Sequence, residues 1–158
     1  MHFVATSPEG PNRMIKNCAL AAAIVLAGLG GARAADLDPI AVRQAGMALQ
    51  GGDFAFIRSV VAAKGDVTHV EDAASAIAEW AALIPVLFPK GSETGGDTKA
   101  KPEIWSDPDG FKKIAVALGE AATKLAAAAK AGDADAVAAD TKLVGQQCGA
   151  CHKAYRQK

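Results

Sequence analysis

The stretch Cys148-Gly149-Ala150-Cys151-His152, close to the C terminus, carries the most specific chemical pattern in the sequence. Its C-x-x-C-H spacing is the attachment pattern of c-type haem, in which each thiol adds to one vinyl group of the porphyrin. Residues three positions apart share one face of a helix, so both thiols can reach one haem. The adjacent imidazole can then ligate the iron. We therefore predict a single haem c held by Cys148 and Cys151, with His152 as its axial iron ligand.

Three other interpretations of this stretch remain open. A structural zinc site needs four ligands, usually as two spaced pairs, and the only other cysteine, Cys18, lies far upstream. A thioredoxin-type dithiol needs its cysteine pair at the start of a helix in a βαβ pattern. This pair instead ends an alanine-rich helical stretch with no strand pattern nearby. A chance occurrence is the third interpretation, and we favour haem over all three.

Residues 14–35 have the pattern of a secretory signal peptide. A short basic start is followed by the apolar run Cys18–Leu29, which is too short to span a bilayer comfortably. Ala32-Arg33-Ala34 then fits the small-x-small cleavage rule. We predict cleavage after Ala34, with Met1 or Met14 as the start of translation. Because c-type haem is attached on the extracytoplasmic side of the membrane, the signal and the C-x-x-C-H pattern together predict a periplasmic protein.

The predicted mature chain, residues 35–158, has a length that suits one domain with a modest core. The whole sequence has 17 basic and 17 acidic residues, and removal of residues 1–34 leaves 14 against 16. This mildly acidic balance makes nucleic acid an improbable partner. We predict no membrane span once the signal is removed.

The mature chain predicts an all-α fold of four helices with one long loop between helices 2 and 3. Helix starts are indicated by Asp38-Pro39, by a Thr68-x-x-Glu71 capping box, by Asp107-Pro108 and by Asp133. Pro85 ends the second helix, and proline and glycine residues fill the loop over 85–106. Short connections with a single long one favour a four-helix bundle. Apolar residues of helical period on the third helix are predicted to face its core. They are Phe111, Ile114, Ala115, Leu118, Ala122, Leu125 and Ala129.

The first helix has two apolar stripes at 100° per residue. One consists of Ile40, Met47, Phe54 and Val61, and the other of Val42, Leu49, Phe56 and Val60. An outer helix of a monomeric bundle needs only one such stripe, although a helix packed between two neighbours needs two. We predict that the second stripe faces a partner subunit in a homodimer.

Together these features resemble the cytochrome c′ family and its c-556 relatives. The resemblance rests on Cys148-x-x-Cys151-His152-x-x-Tyr155-Arg156, Arg43-Gln44-x-x-Met47, Gly95-Gly96-Asp97 and Pro102-Glu103-Ile104-Trp105-Ser106-Asp107. It covers nearly all of the mature chain. It implies an up-down-up-down antiparallel four-helix bundle that binds gases such as NO and CO, transfers electrons through a redox partner protein, or does both.

The resemblance also implies roles for individual residues. Arg43 and Gln44 match positions that hydrogen-bond the haem propionates, a charge-assisted pairing in the case of arginine. Asp97 matches a loop position that contacts haem, and Trp105 matches a tryptophan packed near it. Arg156 matches a basic residue on the proximal side of the iron, beside the axial ligand.

The sixth coordination position of the iron stays open between two hypotheses, because Met47 matches the residue that covers the distal face of the haem. If Met47 only packs there, the iron is five-coordinate, high-spin and open to small uncharged gases. If Met47 is a sixth ligand, the protein is a low-spin electron carrier of the c-556 type. An enzyme such as a peroxidase is the weakest hypothesis, because no distal histidine–arginine pair is visible in the sequence.

Overall fold

The computed structural model describes residues 37–158. The predicted signal segment, with Cys18 and the cleavage point after Ala34, lies outside the described residues. The α-helices are α1 Pro39–Ala63, α2 Glu71–Leu83, α3 Glu103–Ser106, α4 Pro108–Lys130 and α5 Ala134–Tyr155. Short 3-10 helices lie at Val67–Val70 and Ile84–Leu87. None of the helices described over residues 37–158 is long and apolar enough to cross a membrane.

Aspartate side chains cap three of the four long helices, as predicted. Asp38 Oδ1 accepts from the Ile40 amide at 2.9 Å, and Asp107 Oδ1 accepts from the Gly110 amide at 3.1 Å. Asp133 Oδ1 does the same at the start of α5, where its donor is the amide of Ala136 at 3.0 Å. Each carboxylate satisfies an amide that has no partner within its own helix, which explains where these helices begin.

The predicted capping box at Thr68 and Glu71 is wrong. Asp66 Oδ1 accepts from both the amide and the hydroxyl of Thr68, at 3.0 and 2.7 Å, so the threonine hydroxyl is already used. This contact starts the 3-10 turn Val67–Val70, and α2 begins two residues later than predicted, with no side-chain cap. The loop predicted over 85–106 is also more ordered than expected, because it contains the end of the second 3-10 helix and the whole of α3.

The four long helices pack as a closed ring in which α1 contacts α2, α2 contacts α4, α4 contacts α5, and α5 returns to α1. This confirms the predicted antiparallel four-helix bundle. The α4 stripe lies in the core as expected, with Ile114 half-buried and its other six members buried. On α5, Val137, Val144 and Tyr155 are buried. Cys148 and Cys151 pack half-buried against the same core, which fixes the direction in which this face of α5 points.

The buried face of helix α1 does not coincide with either of the two apolar stripes predicted from the sequence. Its one fully buried large apolar side chain is Ile57, which belongs to neither predicted stripe. Of the second stripe, Leu49 is 70% and Phe56 46% exposed, whereas Val60 packs against the core. The outward-facing part of α1 is therefore narrower than predicted and centres on Leu49 and Phe56.

Candidate functional site

A cavity of about 450 Å³ opens between α1, the loop after α2 and the C-terminal end of α5. Seven of the eight predicted site residues line it: Arg43, Gln44, Met47, Asp97, Cys151, His152 and Arg156. Cys148 is not part of the lining and lies one turn earlier on α5, half-buried. The fold thus gathers residues from three distant parts of the sequence around one space. Its volume lies within the range typical of cofactor sites.

The three residues predicted to hold the haem are in their neutral forms. Both cysteines are free thiols. Burial raises the pKa of the Cys148 thiol, and burial together with the neighbouring Cys148 raises the pKa of Cys151 to about 11. Burial, and then the charge of Arg156, lowers the pKa of His152. At neutral pH the site therefore offers two S–H groups and an uncharged imidazole, the form of histidine that ligates a metal.

Arg43 is almost completely buried, with 3% of its surface exposed. Its guanidinium donates to Ser92 Oγ, Ser92 O and Thr98 Oγ1, each at 2.8 Å, and to Leu87 O at 3.4 Å. It also lies 4.5 Å from the centroid of the Phe88 ring. Burial lowers its pKa. Arg43 therefore fastens the long loop to α1, and only its Nε–H is left without a recorded partner among the described residues.

The same loop is fastened to the end of α5. Ala100 and Arg156 form an isolated antiparallel bridge. The Lys101 amide donates to Tyr155 O at 3.0 Å, and the Gln157 amide donates to Lys99 O at 2.7 Å. Lys101 Nζ also donates to two carbonyls in the last turn of α5. The loop is thus a strap across the cavity, tied at one end to α1 and at the other to the segment that follows His152.

Aromatic side chains supply the apolar wall of the cavity. Phe88, Phe111 and Tyr155 line it and meet edge to face, with ring centroids 5.0 and 5.1 Å apart. Trp105 lies behind Phe88 and not on the cavity surface, and its Nε1–H donates to the carbonyls of Phe88 and Pro89. The structure therefore places this tryptophan as a support for the wall.

Five lining residues were not singled out in the sequence: Ala48, Phe88, Thr98, Lys99 and Ala100. Phe88 is one apolar residue in a run that ends at Pro89, so no local pattern distinguishes it. Lys99 follows Asp97 by two positions, and its place could have been inferred only by extending the loop motif. Within the described residues no group of three or more His, Cys, Asp or Glu side chains is arranged to hold a metal ion.

The fold and the site define a class of protein: a four-helix bundle whose last helix ends in C-x-x-C-H on the wall of a cavity. The sequence model of the family described as Cytochrome C′ matches residues 38–156. The chain belongs to the cytochrome c′ family, as the motifs predicted.

Relatives and solved structures agree with this assignment. A cytochrome c′ from Alcaligenes xylosoxydans xylosoxydans is 37% identical over 123 residues, covering 77% of this chain and 94% of the relative. A cytochrome c-556 from Agrobacterium tumefaciens is 42% identical over 93 residues, covering 59% and 74%. A nitric oxide complex of a cytochrome c prime variant from Alcaligenes xylosoxidans superposes with a TM-score of 0.69 at 36% identity, covering 77% and 94%. A cytochrome c′ described as having an unusual ligand-controlled dimer dissociation superposes with a TM-score of 0.71 at 34% identity, covering 76% and 95%.

Proposed function

We propose that the protein is a periplasmic c-type cytochrome with one covalent haem, attached through Cys148 and Cys151 and ligated by His152. The observation that supports this most directly is the position of Cys151 and His152 on the wall of a cavity of suitable size. The donor set fits the group: two neutral thiols, a neutral imidazole, an aromatic wall and polar groups at the mouth. Membership of the cytochrome c′ family supports the same cofactor.

Four polar lining residues have roles toward the haem in this proposal. Gln44, which is exposed at the cavity, would donate its amide N–H groups to a propionate, and Arg43 would contribute its charge and its remaining Nε–H. Asp97 would contact the haem from the loop. Burial, and then the charge of Arg156, lowers the pKa of His152 and so favours its uncharged imidazole. When bound, the haem would supply an iron that takes up a diatomic gas or an electron. The aromatic wall disfavours charged ligands, which would lose their hydration there without compensation.

We favour a five-coordinate, high-spin iron that binds NO or CO, with Met47 as an apolar cover. The nitric oxide complex of a structural relative supports gas binding. The alternative is a low-spin electron carrier in which the Met47 thioether is the sixth ligand, and a 42% identical relative is a cytochrome c-556. Met47 lines the cavity and is half-buried, which is compatible with both. We further propose that the protein is not an enzyme, because no second histidine is among the described residues that line the cavity.

The deciding experiment is absorption and EPR spectroscopy of the ferric and ferrous protein, with and without CO, for wild type, Met47→Leu and Met47→Ala. A high-spin ferric spectrum in all three, with CO binding to each ferrous form, supports gas binding. A low-spin wild type that becomes high-spin in both variants supports the electron carrier. Colourless protein after acid–acetone extraction would contradict covalent attachment in either case.

We also propose that the protein forms a homodimer through the outward-facing part of α1. Leu49 and Phe56 are large apolar side chains that remain exposed there, and a second copy of α1 would cover them. A structural relative described by its dimer dissociation supports this assembly.

A further inference from the structure

The bridge between Ala100 and Arg156 brings together two short basic segments that are far apart in the sequence. One is Lys99-Ala100-Lys101, and the other runs from Lys153 through Arg156 to Lys158. The two main-chain hydrogen bonds beside the bridge hold them side by side. We call the five side chains Lys99, Lys101, Lys153, Arg156 and Lys158 the basic patch.

The basic patch lies at the mouth of the cavity. Lys99 and Arg156 line the cavity, and Lys153 is the neighbour of His152. All members except Lys101 are exposed, and the Lys101 ammonium donates to carbonyls, which leaves its charge uncompensated. Within residues 37–158, the side-chain ion pairs lie elsewhere on the bundle and include no member of the patch.

Few negative charges oppose this concentration. Asp97 is the one carboxylate among the described residues that line the cavity. The charges of Asp38 and Glu93 already act on the Arg43 guanidinium, so Arg43 is left out of the balance. The five cations of the patch still outnumber Asp97 and two haem propionates, so the mouth would keep a net positive charge. The predicted mature chain, residues 35–158, is close to neutral, with 14 basic and 16 acidic residues. Such a local excess on a neutral protein attracts anionic partners and orients them toward the cavity.

We propose that the basic patch is the docking surface for a carboxylate-rich face of a redox partner protein. This inference rests on the proposed haem in the cavity. A protein surface is favoured over an anionic membrane because none of the exposed large apolar side chains lies in or next to the two segments that carry the patch, residues 99–101 and 153–158. These segments therefore offer no large apolar side chain for insertion into lipid. Docking at this position would bring the partner to the opening of the proposed haem cavity.

The first test measures the oxidation rate of the ferrous holoprotein by anionic hexacyanoferrate(III) and by cationic tris(phenanthroline)cobalt(III). The patch variant is Lys153→Glu/Lys158→Glu. The matched control, Arg58→Glu/Lys64→Glu, makes the same change in charge near the C-terminal end of α1, whereas the cavity lies against residues 43–48 near its N-terminal end. At 0.1 M ionic strength we expect the hexacyanoferrate rate to fall about tenfold in the patch variant and less than about twofold in the control, because screening removes distant charges. The cobalt complex should react faster with the patch variant. Equal responses of the two variants would overturn the proposal.

The second test measures binding of poly-L-glutamate and of vesicles containing anionic phospholipid to the ferric holoprotein. Salt-sensitive binding of poly-L-glutamate that the patch variant loses and the control keeps supports the proposal. Binding to the vesicles without binding to poly-L-glutamate overturns it in favour of a membrane surface. The absorption spectrum of each variant distinguishes failure of the proposed haem function from failure of the proposed docking surface. Protein without haem refutes the proposed function, whereas haem-loaded protein that fails both tests refutes only the docking surface.

Discussion

The Tyr155 hydroxyl donates a hydrogen bond of 3.0 Å to Asp107 Oδ2, and so links the turn of α5 that follows His152 to the start of α4. The other oxygen of the same carboxylate accepts from the Gly110 amide. Burial, and then the Asp107 carboxylate, raises the pKa of Tyr155 above its usual value. One aspartate thus caps a helix and holds a wall residue of the cavity.

Tyr155→Phe should lower the free energy of unfolding by about 1 kcal/mol, because it removes this hydrogen bond and keeps the edge contact with Phe111. Since the pKa of Tyr155 is raised in the folded state, the contribution of the hydroxyl is present below about pH 10 and is lost as the pH rises through the folded pKa. Urea denaturation of the holoproteins at pH 7 and pH 11 measures both effects. A difference between wild type and variant that stays the same at both pH values would contradict this assignment.

Gly46 lets α1 approach α2 closely. A Cβ atom at this position would overlap the six-membered ring of Trp80. The Trp80 Nε1–H is buried without a hydrogen-bond partner in the described structure, so packing alone positions the ring. Gly46→Ala should therefore destabilise the protein by about 1–3 kcal/mol through overpacking.

Gly51→Ala is the matched control, since nothing lies within 4 Å of a Cβ atom on that face of α1. Alanine should stabilise the helix there by about 0.5–1 kcal/mol. Thermal unfolding of the two variants measures the contrast, and stabilisation by both would refute the close contact at Trp80.

Arg43 should matter more for the loop than for the haem. Arg43→Lys replaces a fork of N–H donors with a single ammonium, which cannot reach Ser92 and Thr98 with the same geometry. We expect amide hydrogen exchange over residues 92–100 to accelerate at least about tenfold, since a loss of about 1.5–3 kcal/mol is typical for hydrogen bonds to a charged group. Gln44→Ala is the control on the same wall of the cavity, because the Gln44 side chain makes no hydrogen bond to the loop within the described residues. Equal protection in Arg43→Lys and wild type would contradict the strap.

Local signals in the sequence were sufficient for the bundle and for much of the site. Asp38, Asp107 and Asp133 start their helices because a capping carboxylate acts over two or three residues, a range that sequence inspection covers. The C-x-x-C-H run is likewise a local signal, because helical spacing alone places its two thiols on one face of α5.

What the sequence could not supply was pairing between distant segments. The bridge between Ala100 and Arg156, the hydrogen bonds of Arg43 to the loop and the fit of Trp80 against Gly46 depend on the folded arrangement of the helices. At Thr68 the sequence allows two caps: Thr68 can cap the helix that follows, or Asp66 can cap a turn that includes Thr68. In the structure the Thr68 hydroxyl donates to Asp66, so the second arrangement forms. Val60 was predicted to face a partner subunit but packs against the core. A small rotation of α1 about its axis is enough to move this side chain from solvent to the core, and helical periodicity alone does not resolve such a rotation.

The proposed dimer predicts that a charge on the outward-facing part of α1 blocks association. Leu49→Asp would bury an unpaired carboxylate in the interface, so the variant should sediment as a monomer at micromolar concentration where wild type is a dimer. Leu143→Asp is the control, because Leu143 is a partly exposed leucine on α5 and not on α1. Wild type that sediments as a monomer would refute the interface, and so would dissociation of both variants.

The raised pKa values of the two thiols predict how haem-free and haem-loaded protein differ in alkylation. The thiolate is the nucleophile toward iodoacetamide, and the pKa of Cys151 is about 11 against an ordinary value of 9.0. At pH 8 the folded haem-free protein should therefore react at Cys151 roughly 100-fold more slowly than the same protein in urea. In the proposed holoprotein both sulfurs are thioethers, so neither should be alkylated even in urea. Mass spectrometry of the C-terminal peptide gives the labelling of each cysteine, and two labelled cysteines in denatured, haem-coloured protein would show that the haem is not held through these sulfurs.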